Sequence, residues 1–268
     1  MLINGYDSEQ IPVSDRGFQY GDGLFETLAV QHAEPVLLSR HLERLRHGCE
    51  RLAIEFPGND VLSNEAFRIC KGSESAILKI IVTRGSGGRG FRVPEKAHST
   101  RVLAIHPGPD FPVDFQATGI RAILCGNRLG INPALAGLKH MNRLEQILAR
   151  SEWDSPRIQE GLMLDSDGNV IEGTMSNLFL VRNGLLQTPD LSGCGVLGII
   201  RSLVLEIADS NGVAAQIRRI RLDDLEAADE VFVTNSLIGV WPVVELERFT
   251  YAIGPLTRRI LQWLEQRK

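Results

Sequence analysis

Pro107-Gly108-Pro109-Asp110-Phe111-Pro112 is the densest cluster of helix and strand breakers in the chain, and it follows directly on the strand-like run Val102 to Ile105. Proline removes a backbone donor and fixes φ, so neither a ladder nor a helix continues through such a segment. The reading predicts a boundary there. It divides the chain into a smaller N-terminal α+β domain over residues 1–106, a linker over 107–117 and a larger C-terminal α+β domain over 118–268, with a cleft expected between them.

Upstream of the boundary, apolar runs at 24–30 and 76–83 read as strands, and 39–54 reads as a helix. In that helix Leu42, Leu45, Cys49 and Leu52 recur at helical spacing, while Arg44, Arg46 and Glu50 fall on other faces. Downstream, strand-like runs lie near 119–125, 161–165, 177–181 and 230–234, interleaved with helical patterns near 141–153, 198–210 and 254–266. No segment repeats at a fixed period, which excludes a solenoid.

The 268 residues are 43% hydrophobic, ample for a sizeable core. A formal charge of −4 gives no electrostatic basis for binding nucleic acid or an anionic membrane, so a small-molecule substrate is expected. No apolar run reaches membrane-spanning length and the N-terminal residues lack a leader pattern, so the expectation is a soluble, cytoplasmic protein. The four cysteines, Cys49, Cys70, Cys125 and Cys194, are scattered without metal-ligand spacing and read as buried free thiols; no metal is expected.

Gly85-Ser86-Gly87-Gly88-Arg89-Gly90 satisfies the G-x-G-x-x-G pattern, but Phe91-Arg92-Val93-Pro94 is a poor start for the helix that would have to hold a pyrophosphate. It reads instead as a loop bracketed by Arg84 and Arg89, two cations that could take a substrate carboxylate. Lys139 is more informative. Lysine is scarce here relative to arginine, and this one sits in the mostly apolar approach Leu135-Ala136-Gly137-Leu138-Lys139-His140 to an expected helix. A helix amino terminus and exclusion from water both disfavour an ammonium and favour a nucleophilic amine. Glu172, in Val170-Ile171-Glu172-Gly173-Thr174-Met175-Ser176-Asn177, closes one strand-like run just before another begins, where a carboxylate could pair with a pyridinium nitrogen. Gly195-Val196-Leu197-Gly198-Ile199-Ile200-Arg201 leads a glycine-containing loop into a helix whose free N–H groups suit a phosphate.

Taken in order, Asp15-Arg16-Gly17, Tyr20-Gly21-Asp22-Gly23-Leu24-Phe25-Glu26, Lys139, Glu172 and Gly198-Ile199-Ile200-Arg201 resemble the fold-type IV pyridoxal-phosphate family, over nearly the whole chain. That family includes branched-chain and D-amino-acid aminotransferases and the aminodeoxychorismate lyases. The resemblance implies pyridoxal 5'-phosphate as cofactor, with Lys139 as Schiff-base lysine and Glu172 on the pyridine nitrogen. It also implies Arg44, the backbone amides of Ile199 and Ile200, and the Ser236 hydroxyl around the phosphate, and a homodimer with residues of both subunits near each active site.

Within the family, the segments Arg84 to Phe91 and Asn132 to Glu145 resemble the aminodeoxychorismate lyase branch. Branched-chain members tend to carry a tyrosine five residues after the lysine, where this chain has Leu144. The implied reaction is 4-amino-4-deoxychorismate to 4-aminobenzoate and pyruvate, on a substrate whose two carboxylates suit Arg84 and Arg89. An aminotransferase is the alternative.

Overall fold

The computed structural model describes residues 1–108, 111 and 114–267. Pro109, Asp110 and Pro112 of the breaker cluster, and Val113 of the expected linker, lie outside the described residues. The chain forms two units: Met1–Asp110 with Leu138–Asn142, and Phe111–Gly137 with Arg143–Lys268. Leu138–Asn142 therefore packs with the first unit, whereas the sequence reading assigned Lys139 to the second domain.

In the first unit the elements are β1 (Leu2–Ile3), β2 (Tyr6–Asp7), α1 (Arg16–Tyr20), β3 (Gly23–Gln31), β4 (Glu34–Pro35), α2 (Leu38–Leu52), α3 (Asn59–Cys70), β5 (Ser75–Thr83) and β6 (Thr100–Pro107). Among the described residues its strands make one six-stranded sheet in the order β2-β1-β6-β5-β3-β4. Strand β3 alternates as a half-buried strand must, with Leu24, Glu26, Leu28 and Val30 buried and Phe25, Thr27 and Ala29 partly open. Helix α2 buries Leu42, Leu45 and Cys49, the stripe expected from its 3.6-residue period. It ends at Ala53, whose φ of 51° turns the chain out of the helix.

The second unit carries α4 (Phe115–Thr118), β7 (Ile120–Leu129), α5 (Leu144–Arg150), β8 (Glu160–Asp165), β9 (Val170–Gly173), β10 (Asn177–Arg182) and β11 (Leu185–Pro189). It continues with α6 (Ile199–Ser210), β12 (Ala215–Arg218), α7 (Leu222–Glu226), β13 (Glu230–Asn235), β14 (Gly239–Leu246), β15 (Phe249–Thr250) and α8 (Pro255–Glu265). The sheet runs β12-β11-β10-β13-β14-β7-β8-β9, and β9 pairs again with β10 through Glu172 opposite Asn177. Six strands, β10, β13, β14, β7, β8 and β9, thus close into a barrel. Alternate residues of these strands, among them Leu162, Leu178, Leu180, Val231, Val233 and Val243, share one apolar cluster. The intervening Phe179 and Phe232 stack at 5.0 Å between ring centroids. Because both faces of β10 and β13 are covered, their sequences are continuous apolar runs, with no polar alternation.

The four cysteines are buried and free. No described helix is long and apolar enough to cross a membrane.

Candidate active site

Lys139 does not stand at a helix amino terminus, because α5 begins only at Leu144. The segment is extended. Its backbone pairs with the start of β3: the Phe25 N–H donates to the Lys139 carbonyl at 3.0 Å, the Met141 N–H donates to the Gly23 carbonyl at 2.9 Å, and Leu24 bridges His140. Those bonds fix the lysine backbone independently of its side chain. The Lys139 Nζ lies 4.5 Å from the Phe25 ring centroid, and the Lys79 Nζ lies 5.4 Å from the same ring. Two lysine amines thus lie within cation–π distance of one aromatic ring.

Beneath Phe25, on the buried side of β3, Glu26 faces α2. Its Oε2 lies 2.6 Å from His41 Nδ1, and Arg44 donates to both its oxygens, Nε to Oε1 at 2.8 Å and Nη2 to Oε2 at 2.5 Å. Burial pushes the Glu26 pKa up, but the Arg44 charge and the hydrogen bonds from His41 and Arg44 outweigh it and hold the pKa near about 2. Burial lowers the His41 pKa against the pull of Glu26, and the charges of Arg44 and Lys139 lower it further. Facing a carboxylate oxygen, the His41 Nδ1 is the donor of this bond.

In the second unit Glu172 is buried at the closure of the barrel. Its Oε2 accepts the Val196 N–H at 2.8 Å. Asn177, opposite it, donates to the Val196 carbonyl at 2.8 Å. The loop of Val196 is tied in turn to Gly137 by a parallel bridge, two residues before Lys139 in the chain. Burial disfavours the charged forms of Arg143 and Arg201, and the Glu172 carboxylate opposes that in both. Between Glu172 and Asn177 the turn is pinned by Glu160, which accepts from the hydroxyls of Thr174 and Ser176, each at 2.6 Å. Glu160 is buried, and burial raises its pKa against these bonds.

Helix α6 begins at Ile199 as expected, and no described side chain caps it. A Cβ on Gly198 would come within 1.9 Å of Asn177 Oδ1, so only glycine fits at that helix entrance. The amides of Ile199 and Ile200 therefore head a helix whose dipole is open to an anion. Ser236 lies half-buried in the turn after β13. Its neighbour Thr234 is buried, with Oγ1 lacking a hydrogen-bond partner.

The arginine pair of the glycine segment separates. Arg84 is 7% exposed and makes a two-bond fork with Asp22 at 2.7 and 3.0 Å; it also donates to the carbonyls of Ala53 and Leu52 at 2.7 and 2.8 Å. Its donors cap the C-terminal end of α2, which corrects the expectation that Arg84 meets a substrate carboxylate. Replacing Arg84 by Ala is expected to lower unfolding stability by about 3 kcal/mol, since it takes a donor from two helix-end carbonyls and the two-bond fork from Asp22, leaving that carboxylate the Arg16 bond. Urea unfolding measures this, and a loss below roughly 0.5 kcal/mol would return Arg84 to the surface class. Arg89 is exposed. The loop that carries it is anchored by Arg16, which donates to Asp22 at 2.9 Å and to the Gly90 carbonyl at 2.9 Å. No helix follows the glycines, in line with the rejection of a nucleotide fold.

Lys79, Glu26, His41, Asn177 and Thr234 were not singled out from the sequence. Glu26 and Lys79 left a signal, each being a charge inside an otherwise apolar strand. Asn177 and Thr234 left none beyond a polar residue at a strand end. Among the described residues no group of three or more His, Cys, Asp or Glu is arranged to hold a metal.

This frame, a six-stranded sheet, a closed barrel and a lysine in the connection between barrel strands β7 and β8, is matched by the family profile "Amino-transferase class IV", over residues 23–246. The chain belongs to the class IV aminotransferase family. It is 37% identical to an aminodeoxychorismate lyase of Vibrio harveyi, over 96% of this chain and 97% of that one. It is 26% identical to a D-alanine aminotransferase of Bacillus licheniformis, over 97% and 94%. Among solved structures, a 4-amino-4-deoxychorismate lyase from Pseudomonas aeruginosa superposes with a TM-score of 0.96 and 45% identity, covering 99% of this chain and 98% of that one.

Proposed function

We propose that the chain is a pyridoxal 5'-phosphate-dependent lyase that converts 4-amino-4-deoxychorismate to 4-aminobenzoate and pyruvate. The observation that carries this reading is the 45% identity to a lyase over 99% of the chain. The residues present fit that cofactor. An uncapped helix start at Ile199 and Ile200 and the Arg44 guanidinium suit a phosphate, and a buried carboxylate at Glu172 suits a protonated ring nitrogen. The donor and acceptor chemistry matches the group.

When bound, the cofactor supplies an electron sink to the substrate's amine-bearing carbon. The Lys139 Nζ would hold the cofactor covalently and, as a free amine, would take the proton from that carbon. The enolpyruvyl C–O bond breaks as the ring becomes aromatic, and the same amine returns the proton to the enolpyruvate methylene. Glu172 keeps the ring nitrogen protonated. Arg44, the amides of Ile199 and Ile200, and the Ser236 hydroxyl hold the phosphate. For the substrate carboxylates we take Arg89, and Lys79 in place of Arg84, because the Lys79 ammonium shares the Phe25 ring with Lys139.

Arg89→Ala is expected to lower kcat/KM for aminodeoxychorismate roughly ten- to a hundredfold, mainly through KM, with cofactor absorbance unchanged. Wild-type kinetics would remove the loop from recognition.

The homodimer belongs to the same proposal. On α5, Leu144, Ile147 and Leu148 are 73%, 61% and 57% exposed, an apolar stripe at i, i+3 and i+4 that a second copy would cover. Sedimentation at monomer mass would remove this part. A cytoplasmic location is proposed on the sequence alone, and finding the protein outside the cytoplasm in fractionated cells would refute it.

The experiment for the reaction compares substrates on purified enzyme. Aminodeoxychorismate should yield 4-aminobenzoate and pyruvate in equal amounts, far faster than D-alanine or leucine reacts with 2-oxoglutarate. The reverse order would make the chain an aminotransferase.

A further inference from the structure

We propose that Glu26 is a positioning residue for the cofactor phosphate, acting through Arg44, and that His41 is the prop that holds Glu26 in place. This rests on the reading of Arg44 as a phosphate ligand.

Glu26 is a carboxylate on the core side of a strand. Its neighbours on that side, Leu24, Leu28 and Val30, are apolar and buried, and Glu26 itself is 1% exposed. A charge in such a place is strongly destabilising unless its oxygens are fully engaged. Here they are. His41 and Arg44 stand three residues apart on α2, so both side chains reach β3 from one helix face.

The Arg44 contact is the two-bond fork, Nε to one oxygen and Nη2 to the other. A fork of this kind fixes the guanidinium plane as well as its position, which a single bond would leave free to rotate. His41 adds a third bond to the carboxylate, at Oε2. The carboxylate is thereby held by three bonds from one helix face, and the guanidinium plane is set before any phosphate arrives. Preorganisation of that sort strengthens binding by removing the ordering that would otherwise accompany it.

Two effects of removing the carboxylate oppose one another. Loss of a negative charge beside Arg44 would draw a phosphate more strongly, whereas loss of the fork would let the guanidinium turn away. The structure favours the second, because the fork takes up one whole edge of the guanidinium and Arg44 is itself mostly buried, at 14% exposure. Orientation, then, is what Glu26 contributes.

The test compares equilibrium binding of pyridoxal phosphate and of pyridoxal, which lacks the phosphate, to protein freed of cofactor by dialysis. Glu26→Gln should weaken pyridoxal phosphate binding about tenfold or more, while pyridoxal binding stays within roughly twofold of wild type. Glu26→Asp keeps the charge but is too short to span His41 and both Arg44 donors. It should show the same phosphate-specific loss, and it serves if the glutamine variant does not fold. Unchanged or tighter pyridoxal phosphate binding in either variant overturns the proposal. So does an equal loss for both ligands, which would mean damage to the unit as a whole. Arg44→Ala separates the two layers: if it leaves the ratio of the two affinities untouched, Arg44 is not a phosphate ligand and the proposal falls with that reading.

Discussion

Lys139→Ala protein should fold as wild type does and turn over no aminodeoxychorismate. The lysine supplies the covalent anchor and the travelling proton at once, so its loss removes two contributions that no neighbouring group replaces. The fold should survive because the backbone of residues 139–141 is held by the main chain of Gly23 and Phe25, bonds that the substitution leaves in place. Lys79, beside the same ring, has its backbone in β5 opposite Thr27. Lys139→Arg should be equally inactive, since a guanidinium stays protonated and cannot bond to the cofactor carbonyl. Steady-state assay with circular dichroism as a fold check measures both. Turnover near the wild-type rate in either variant would place the chemistry on another residue.

Glu172→Gln should keep its cofactor and lose on the order of a hundredfold or more in kcat, which corresponds to roughly 3 kcal/mol of transition-state stabilisation. A neutral amide accepts a hydrogen bond but cannot hold the ring nitrogen protonated. The amide can still accept the Val196 N–H, so the loop that carries Gly195 to Gly198 should stay where it is. A rate loss without loss of cofactor distinguishes an electronic role from a structural one. If kcat is unchanged, Glu172 does no more than close the barrel beside Asn177.

Much of this arrangement was legible in the sequence, and the misreadings share a cause. Strands β3 and β5 and helix α2 announce themselves through period, because one face of each is buried and the pattern is local. Glu172 and the α6 start could likewise be found at strand and helix boundaries. The environment of Lys139 could not. Its extended conformation comes from pairing with Gly23 to Phe25, more than a hundred residues away in the chain, and the helical pattern read near 141–153 begins only at Leu144. The same pairing draws Leu138–Asn142 into the first unit, which a boundary placed on breaker residues could not anticipate.

Arg84 was misread for a related reason. Its acceptors include the carbonyls of Leu52 and Ala53, and a backbone group at a helix end leaves no mark on side-chain identity. Several elements went unread because their sequences are short or mixed: β12 is exposed along most of its length, and β14 carries Pro242 in its interior, a residue that argues against a central strand.

The central claim is that Lys139 carries the cofactor, and borohydride reduction followed by peptide mass mapping tests it most directly. Protein purified with pyridoxal phosphate and reduced should carry one added phosphopyridoxyl group, on the peptide that contains Lys139 and on no other. Attachment at Lys79 or any other lysine, or no attachment at all, would contradict the account.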